Sequence, residues 1–397
     1  MPRKNCNSED MPPSQTLHIS FDAIAVDGHR FHSIGDGPDT LRRLLALIDE
    51  ARGELRLLYY IFSDDESGQA VRDALLAAMR RGVAVSLMVD GYGSDGTHGD
   101  FFTPLEAAGA RLCRFQPRWG RRYLLRNHQK MAIADRDRVI VGGFNIENSY
   151  FQTDGDEAWR DFGIEVEGPS IQRLIDYYEA LFHWSMDRRA TLRGMRRLIR
   201  RASNLEGRVR WLIGGPTLRP SYLVRTLRAD LRKAARVDMI MAYFSPNPAM
   251  LRRLVAVARR GKARIITAAK SDNRTTIGAA RHCYRRLLTG GVEVYEYQPL
   301  KLHEKLIAMD DIAYVGSANF DMRSLYLNLE IMLRVEDASF AAAIRGRIDR
   351  EQARAERIDR RRYSELSSIW AKIRWTIDYF IVTTLDFGVS RGLNTRG

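Results

Sequence analysis

Two stretches of the chain repeat one arrangement of apolar and polar positions. In each stretch, an apolar run typical of a β-strand precedes an amphipathic helical pattern, an Arg-Gly pair and a second apolar run. Because strands alternate with helices, the pattern predicts an α/β protein in which a lobe, with a largely parallel or mixed β-sheet flanked by helices, occurs twice. The segments are 55–60, 68–80, 81–82 and 83–90 in the first copy, and 237–244, 249–259, 260–261 and 263–269 in the second.

The repeat divides the chain into two lobes and three smaller segments. We assign the first lobe to 18–187 and the second lobe to 211–350. The polar, proline-containing segment 1–17 is interpreted as a disordered lead-in, because it lacks the apolar stretch of a secretory signal. The Arg-rich segment 188–210 predicts a basic amphipathic helix, and we favour an interlobe connector over a dedicated lipid- or nucleic-acid-binding element. Residues 351–397 form a predicted C-terminal amphipathic helical extension.

The C-terminal extension contains the most apolar helical pattern in the chain, at 366–387. Charged residues interrupt it, so a membrane-spanning helix is not predicted. Two interpretations stay open: an amphipathic helix packed on the second lobe, or one that lies on a membrane surface. Its apolar positions at helical spacing are Ile369, Ile373, Ile377, Phe380, Ile381 and Leu385.

Composition bounds the class of partner. Of the 397 residues, 45% are hydrophobic and 28% charged, as in globular proteins rather than disordered or collagen-like ones. The formal charge of +14 predicts a polyanionic partner, either nucleic acid or an anionic membrane face. The three cysteines, Cys6, Cys113 and Cys283, lack metal-ligand spacing and cannot all pair within one chain, which favours a reducing compartment.

One chemical motif occurs once in each copy of the repeat. It is His-x-Lys followed by four residues and an Asp, and each copy runs into a Gly-rich turn that ends in Asn. Chance would give a single copy in roughly one of a hundred chains of this composition, so two copies are not accidental. Lysine is scarce among the basic residues, and its compact ammonium suits one oxygen of a phosphoryl group. The motif residues are His128, Lys130 and Asp135, and His303, Lys305 and Asp310.

The motif pair predicts metal-independent phosphoryl chemistry without a cofactor. Residues at i and i+2 of a strand project to the same side, so each His and Lys reach one surface together. A pseudo-twofold axis between the lobes would bring both pairs to one phosphodiester. One imidazole would attack phosphorus and form a phosphohistidine, while the other would protonate the leaving oxygen and later deprotonate the incoming hydroxyl. The lysines would neutralise the equatorial oxygens, helped by Asn145 and Asn319 as amide donors.

Each imidazole needs a partner on its other nitrogen. The candidates are Asp161 and Glu330, which follow the two histidines by 33 and 27 residues and each open an apolar run. We therefore expect each carboxylate to orient the histidine that precedes it. Asp135 and Asp310 belong to the motif, but we interpret them as structural turn or lobe-bracing carboxylates rather than proton carriers.

The first copy carries additional arginine and aromatic residues at 118–126, just ahead of its motif. At the entrance of an active site, the arginines of such a segment would bind phosphate headgroups, and its apolar side chains would contact acyl chains. An ordinary loop is the alternative.

These residues resemble the phospholipase D superfamily, whose signature is HxKxxxxD followed by a Gly-Gly or Gly-Ser turn. Within it, the chain is similar to bacterial cardiolipin synthases, especially the shorter B-type that lacks an N-terminal membrane hairpin. The resemblance covers about residues 20–350 and implies a two-lobed phospholipase D fold with the active site at the pseudo-twofold lobe interface. The phrases that carry it are Asp90-Gly91-Tyr92-Gly93-Ser94, Gly142-Gly143-Phe144-Asn145, Trp159-Arg160-Asp161 and Gly316-Ser317-Ala318-Asn319-Phe320-Asp321.

The resemblance also implies a function. That family transfers a phosphatidyl group from one phospholipid to the glycerol hydroxyl of phosphatidylglycerol, and analogy makes His128 the nucleophile and His303 the acid and base. The expected partners are a membrane surface and phospholipid substrates. The substrates are anionic phosphatidylglycerol and, as an alternative donor, phosphatidylethanolamine. The expected location is peripheral, on the cytoplasmic face of a bacterial inner membrane, and the oligomeric state is not predicted.

Three other functions compete with this one. A phospholipase D would use the same site with water as the acceptor. A nuclease of the superfamily would fit the positive charge, but simple superfamily nucleases carry one motif and dimerise. A catalytically silent scaffold that binds acidic membranes is disfavoured because both half-sites are complete.

Overall fold

The computed structural model of the protein describes residues 23–116, 125–203 and 205–385. The lead-in assigned to 1–17 and residues 118–124 of the Arg-rich aromatic loop lie outside the described residues. The described chain forms two lobes, each built on an eight-stranded mixed sheet, so the predicted α/β class is confirmed.

The first lobe begins with a hairpin and ends with the two helices that lead to the second lobe. Its strands are β1 (Ile24–Val26), β2 (His29–Ile34), β3 (Glu54–Tyr59), β4 (Ala84–Asp90), β5 (Arg111–Phe115), β6 (Met131–Ala134), β7 (Arg138–Gly142), β8 (Trp159–Arg160) and β9 (Gly163–Glu167). Its helices are α1 (Pro38–Glu50), α2 (Glu66–Arg80), α3 (Thr103–Ala107), α4 (Ile171–Met186) and α5 (Leu192–Ala202), with a 3-10 turn at Asn148–Tyr150.

The second lobe repeats this plan and adds the C-terminal helices. Its strands are β10 (Val209–Gly214), β11 (Arg236–Met241), β12 (Phe244–Ser245), β13 (Lys262–Ala268), β14 (Glu293–Tyr297), β15 (Lys301–Leu302), β16 (Lys305–Met309), β17 (Ile312–Gly316), β18 (Phe320–Asp321), β19 (Glu330–Glu336) and β20 (Ala355–Arg357). Its helices are α6 (Tyr222–Lys233), α7 (Pro248–Arg260), α8 (Arg274–Thr289), α9 (Met322–Tyr326), α10 (Ala338–Gln352), α11 (Arg360–Leu366) and α12 (Ile369–Phe380), which continues as a π-helical turn, Ile381–Leu385.

Seven strands occupy equivalent places in the two sheets. The order β2-β9-β7-β6-β3-β4-β5 matches β10-β19-β17-β16-β11-β13-β14, with parallel pairing only within β3-β4-β5 and β11-β13-β14. The eighth strand differs, since β1 lies beside β2 whereas β20 lies beside β14. Residues 355–357, which the sequence analysis assigns to the C-terminal extension, belong to the second sheet, where they cover the open edge of β14.

The repeated helices begin slightly earlier than their apolar periodicity predicts. Helix α2 starts at Glu66 because the side chain of Asp65 accepts a hydrogen bond from the Gly68 amide. Helix α7 starts at Pro248 because Asn247 caps it in the same way. Capping residues are polar, so they lie outside the periodic pattern that locates a helix in sequence.

Alternate residues of the central strands face different cores. Leu57 and Met239 face cores covered by the outer helices of their lobes, whereas the adjacent Leu58 and Ile240 face a third core between the two sheets. Helices α4, α5 and α10 contribute to that third core. The two lobes therefore share buried apolar surface, and the interface between them is part of the folded core.

Helix α5 lies within the predicted connector. It buries Met195 and Ile199 in the interlobe core, while its arginines face outward. Residues 209–210 of that predicted segment already belong to β10. Among the described residues, no helix combines the length and apolarity needed to cross a bilayer.

Candidate active site

Both His-x-Lys pairs lie at the start of a strand that faces the other lobe. Strand β6 begins directly after Lys130, and β16 begins at Lys305. His128 and His303 line one pocket between the lobes, with a volume of about 470 Å³. Aromatic rings and guanidinium groups also line it: Tyr60, Tyr150, Trp159, Tyr243, Arg126 and Arg323.

Short backbone pairings between the lobes hold each histidine in place. The amide of His128 donates to the carbonyl of Leu329 at 3.0 Å, and the amide of Leu329 donates to the carbonyl of Arg126 at 2.9 Å. In the same manner, β15 pairs with β8, and the amide of His303 donates to the carbonyl of Arg160 at 2.7 Å. Each histidine is thus attached to the segment of the other lobe that precedes a carboxylate.

The orienting carboxylates are exchanged between the lobes. Nδ1 of His128 lies 3.1 and 3.2 Å from the two carboxylate oxygens of Glu330, and Nδ1 of His303 lies 2.6 Å from Oδ2 of Asp161. The sequence-based expectation that each carboxylate serves the histidine preceding it was wrong. We refer to His128 with Glu330 as the first half-site and to His303 with Asp161 as the second half-site.

The two motif lysines are buried beneath the histidines. Nζ of Lys130 donates to the carbonyl of His128 at 2.7 Å, and Nζ of Lys305 donates to the carbonyl of His303. Lys305 also lies 2.8 Å from Nδ1 of His303. Burial holds the pKa of Lys130 well below its usual range and lowers the pKa of Lys305 to about 8, although nearby carboxylates oppose that shift. A phosphate anion between these groups would favour their charged forms.

The surroundings of both histidines favour the neutral imidazole. Burial, followed by the adjacent ammonium groups, lowers the pKa of His128 and lowers that of His303 still further. Burial also raises the pKa of Asp161 to about 6. Each Nδ1 faces a carboxylate, and at His303 the oxygen of Asp161, at 2.6 Å, lies closer to Nδ1 than Nζ of Lys305, at 2.8 Å. We therefore assign the ring proton to Nδ1, which leaves a lone pair on Nε2. A neutral imidazole with a free Nε2 is the form that attacks an electrophile.

The two predicted amide donors line the pocket and also hold its walls. Oδ1 of Asn145 accepts from the amide of Ile61, and Oδ1 of Asn319 accepts from the amide of Tyr243. Nδ2 of Asn145 donates to the hydroxyl of Tyr150 at 2.9 Å. Because each side-chain oxygen faces a backbone amide, the side-chain nitrogen Nδ2 of each asparagine points away from that amide.

The motif aspartates lie at the opposite ends of their strands, outside the pocket. Asp135 occupies the turn after β6 with φ of 49° and accepts hydrogen bonds from the amides of Arg52, Gly53 and Glu54. Asp310 has φ of 46° and accepts from the amides of Ala235 and Arg236 at the start of β11. Neither carboxylate contacts a histidine. Each instead braces its hairpin against the start of the neighbouring strand, β3 or β11, which pairs antiparallel with the motif strand.

The residue after the first glycine of each turn differs between the half-sites. A Cβ added to Gly143 would lie 2.5 Å from Oδ1 of Asp161, so glycine leaves the space that this carboxylate occupies. At the equivalent position, Oγ of Ser317 donates to Oε2 of Glu330 at 2.5 Å. One half-site thus makes room for its carboxylate, and the other binds it.

A buried charge cluster supports the second half-site, and sequence analysis missed it. Glu304, between the motif residues, pairs with Arg347 of α10, and Arg347 also pairs with Asp36 at 2.8 Å. Arg160, next to Asp161, pairs with Glu351 at 2.6 Å. Burial raises the pKa of Glu304 to about 7. The only sequence signal was a charged residue between the motif His and Lys, just ahead of an apolar strand.

The first half-site has neutral support instead. Gln129, the counterpart of Glu304, accepts from the hydroxyl of Tyr177 at 2.9 Å and donates to the carbonyl of Glu330 at 3.1 Å. Asp90 holds the backbone just ahead of His128 by accepting from the amide of Asn127 at 2.7 Å. Among the described residues, no three His, Cys, Asp or Glu side chains form a metal-binding group.

Comparison with known proteins agrees with this geometry. A family model described as the PLD-like domain of cardiolipin synthase matches residues 44–184 and 227–351, which include both motifs. The chain belongs to this family. Cardiolipin synthase B of Escherichia coli K12 is 31% identical over 332 residues, covering 81% of this chain and 80% of its own. The resemblance inferred from the motifs is therefore confirmed.

Other relatives extend the comparison. Cardiolipin synthase 1 of Bacillus cereus is 31% identical over 327 residues, and the match spans 78% of this chain but 63% of that protein's length. The crystal structure of phosphatidylserine synthase from Haemophilus influenzae has the same fold, with a TM-score of 0.71 over 94% of this chain and 97% of that one, at 13% identity. This chain thus shares its fold with a protein that is only distantly related in sequence.

Proposed function

We propose that the protein is a phosphatidyltransferase that moves a phosphatidyl group to the glycerol hydroxyl of phosphatidylglycerol through a phosphohistidine intermediate. One observation carries the proposal: two imidazoles, each held by a carboxylate of the other lobe, face one pocket above two buried ammonium groups. The relatives named cardiolipin synthases support the choice of acceptor.

In the first step, Nε2 of His128 attacks phosphorus of the donor diester. The bond from phosphorus to the leaving alcohol oxygen breaks, and that oxygen takes a proton from Nε2 of His303. The bound phosphodiester anion offsets the charge of Lys130 and Lys305, which lets His303 hold this proton before the transfer. The amide of Asn145 and that of Asn319 help the ammonium groups to stabilise the equatorial oxygens.

In the second step, His303 acts as the base. Its Nε2 takes the proton from the incoming glycerol hydroxyl, whose oxygen attacks phosphorus while the bond to His128 breaks. The product is a diester with a second phosphatidyl group, and both histidines return to their starting states. Water would give phosphatidic acid by the same steps, so the choice between transfer and hydrolysis depends on which hydroxyl reaches the intermediate.

The proposed substrates place the reaction at a membrane. We assign the protein a peripheral location at the cytoplasmic face of the bacterial inner membrane, with phosphatidylglycerol as acceptor and either phosphatidylglycerol or phosphatidylethanolamine as donor. The exposed arginines and the net charge of +14 suit an anionic surface.

A vesicle assay with labelled phosphatidylglycerol and a metal chelator tests the proposal. Wild-type protein should convert the label to cardiolipin, whereas His128→Ala and His303→Ala should form none. His98→Ala is the matched control, because His98 is an exposed histidine outside the pocket, paired with Asp64. Phosphatidic acid as the sole product would replace the transferase with a hydrolase, and loss of turnover in the presence of chelator would contradict a metal-independent reaction.

A further inference from the structure

Helix α12 exposes an apolar stripe to solvent. Ile369 is 75% exposed and Trp370 is 80% exposed, and the stripe continues along the same helix and its π-helical turn. Of the ten large hydrophobic side chains that are exposed among the described residues, six lie here. A patch of this density marks an interaction surface rather than scattered exposure. The apolar face of α12 consists of Ile369, Trp370, Ile373, Ile377, Phe380 and Ile381.

The opposite face of α12 is fixed to the second lobe. Trp375 is buried, and the hydroxyl of Tyr379 donates to the carbonyl of Pro246 at 2.8 Å. The ring of Tyr379 also stacks on His282 of α8, with the ring centroids 4.6 Å apart. Both interpretations that the sequence left open thus apply in part: the helix packs on the second lobe, and its apolar face stays outside.

A basic groove lies beside this helix, between α7 and α8. Its volume is about 730 Å³, and no carboxylate lines it. Within the described chain, none of its four arginines lies within ion-pair distance of an acidic side chain. Guanidinium groups without carboxylate partners suit phosphate oxygens. The arginine groove consists of Arg252, Arg259, Arg285 and Arg286, around His282.

The apolar face of α12 extends toward the active-site end of α8. Asp378 lies against Gly278, in the first half of α8, and Asn273, which caps that helix, lines the active-site pocket. The π-helical turn after α12 contacts α9, and α9 contributes Arg323 to the same pocket. A surface that covered the apolar face would therefore lie close to the pocket that contains both histidines.

We propose that the apolar face of α12 and the arginine groove together dock the protein on an anionic phospholipid surface. The apolar side chains enter the acyl boundary and the arginines bind headgroup phosphates, as in interfacial amphipathic helices. Charge complementarity selects this occupant over a second copy of the chain, which would bring two arginine grooves together. The role of this docking, which is to bring the active site to its lipid substrates, rests on the proposed transferase function. The binding to an anionic surface does not depend on that function.

Flotation with phosphatidylcholine vesicles, with or without phosphatidylglycerol, tests this docking. Wild-type protein should float with the anionic vesicles, and added salt should weaken its binding. The double variants Trp370→Glu with Ile377→Glu, and Arg285→Glu with Arg286→Glu, should each lose about tenfold or more in partitioning. Leu218→Glu is the matched control, because Leu218 is 67% exposed but lies elsewhere, and it should bind like wild type.

Several outcomes would overturn the docking proposal. These are absence of wild-type flotation, variants that float as well as wild type, or variants that change the oligomeric state while vesicle binding persists. A fluorescent label on a cysteine introduced at Ile377, in a Cys6→Ser background, gives an independent measurement without a charge change. Its emission should shift to shorter wavelength with anionic vesicles, and an unchanged spectrum would contradict the proposal.

Turnover separates this proposal from the transferase function. Variants of α12 should keep wild-type activity on short-chain phosphatidylglycerol dispersed in detergent and lose activity on vesicles. If wild type binds anionic vesicles in this pattern but makes no cardiolipin, the docking surface stands and the transferase proposal fails. If the variants lose activity equally on both substrates, the face acts through the fold and the docking proposal fails.

Discussion

The two half-sites place equivalent histidines in one pocket but support them differently. The first half-site has a glutamate that accepts from Ser317, with the neutral Gln129 behind it. The second half-site has a shorter aspartate beside Gly143, with the buried charge of Glu304 and Arg347 behind it. A duplicated framework can therefore hold two imidazoles in similar geometry while giving them different electrostatic surroundings. That difference is what a nucleophile and a proton carrier require.

The largest expected effects come from removing each histidine. A donor whose leaving group needs no protonation should distinguish the roles of the two histidines. On natural lipid, His128→Ala and His303→Ala should each lose at least about a thousandfold in kcat. A phosphatidyl ester of 4-nitrophenol needs no proton donor for departure. With that donor His303→Ala should still release a burst of nitrophenol, whereas His128→Ala should release none. Bursts of equal size from both variants would contradict the assigned roles, and His98→Ala controls for histidine loss.

Neutralising the carboxylates should have the next largest effect. Asp161→Asn should lower kcat by about a hundred- to a thousandfold, because the ammonium of Lys305 then faces the His303 ring without a compensating charge. Glu330→Gln should lower it less, since Ser317 still holds the side-chain oxygen near His128. Steady-state kinetics on dispersed lipid measures both, with the exposed Asp156→Asn as control. A larger loss from Glu330→Gln would reverse this ranking.

The exchange of carboxylates between lobes marks the limit of sequence analysis. The motif strands, their duplication and all ten candidate residues follow from local spacing, and eight of these residues meet at one site. Which carboxylate meets which histidine depends on packing between lobes, since the contacting pairs are 202 and 142 residues apart. In the charge cluster, Arg347 follows Glu304 by 43 residues and pairs with Asp36, which lies 311 residues before it, so no local pattern could reveal that cluster.

Substitutions in the two turns should separate steric from hydrogen-bonding support. Gly143→Ala should lower kcat by about tenfold or more, because its Cβ would occupy space within 2.5 Å of Asp161. Ser317→Ala should cost only a few-fold, because one hydrogen bond to Glu330 is lost while the backbone contacts remain. Kinetics of the two variants, with thermal unfolding as the control for stability, measures this. Equal losses would show that the two turns act alike.

The smallest expected effect concerns the pH dependence of stability. The folded-state pKa of Glu304 is about 7, above its usual value of 4.5, so the folded protein binds the extra proton between these values. The contribution of Glu304 to stability should therefore fall as pH rises from about 4.5 to 7. Glu304→Gln should remove this contribution to the pH dependence of stability. The difference in Tm between the variant and wild type should therefore change between pH 4.5 and 7. The exposed Glu157→Gln should keep the wild-type slope, and a parallel Tm profile for Glu304→Gln would contradict the assignment.

Trapping the covalent intermediate tests the division of labour between the half-sites most directly. Wild type and His303→Ala are mixed with labelled 4-nitrophenyl phosphatidyl donor, quenched in alkali and digested, and the labelled peptide is identified by mass spectrometry. We expect an acid-labile phosphatidyl group on His128 in wild type, and a longer-lived one at the same residue in His303→Ala. A phosphatidyl group on His303, or none on either histidine during turnover, would contradict it.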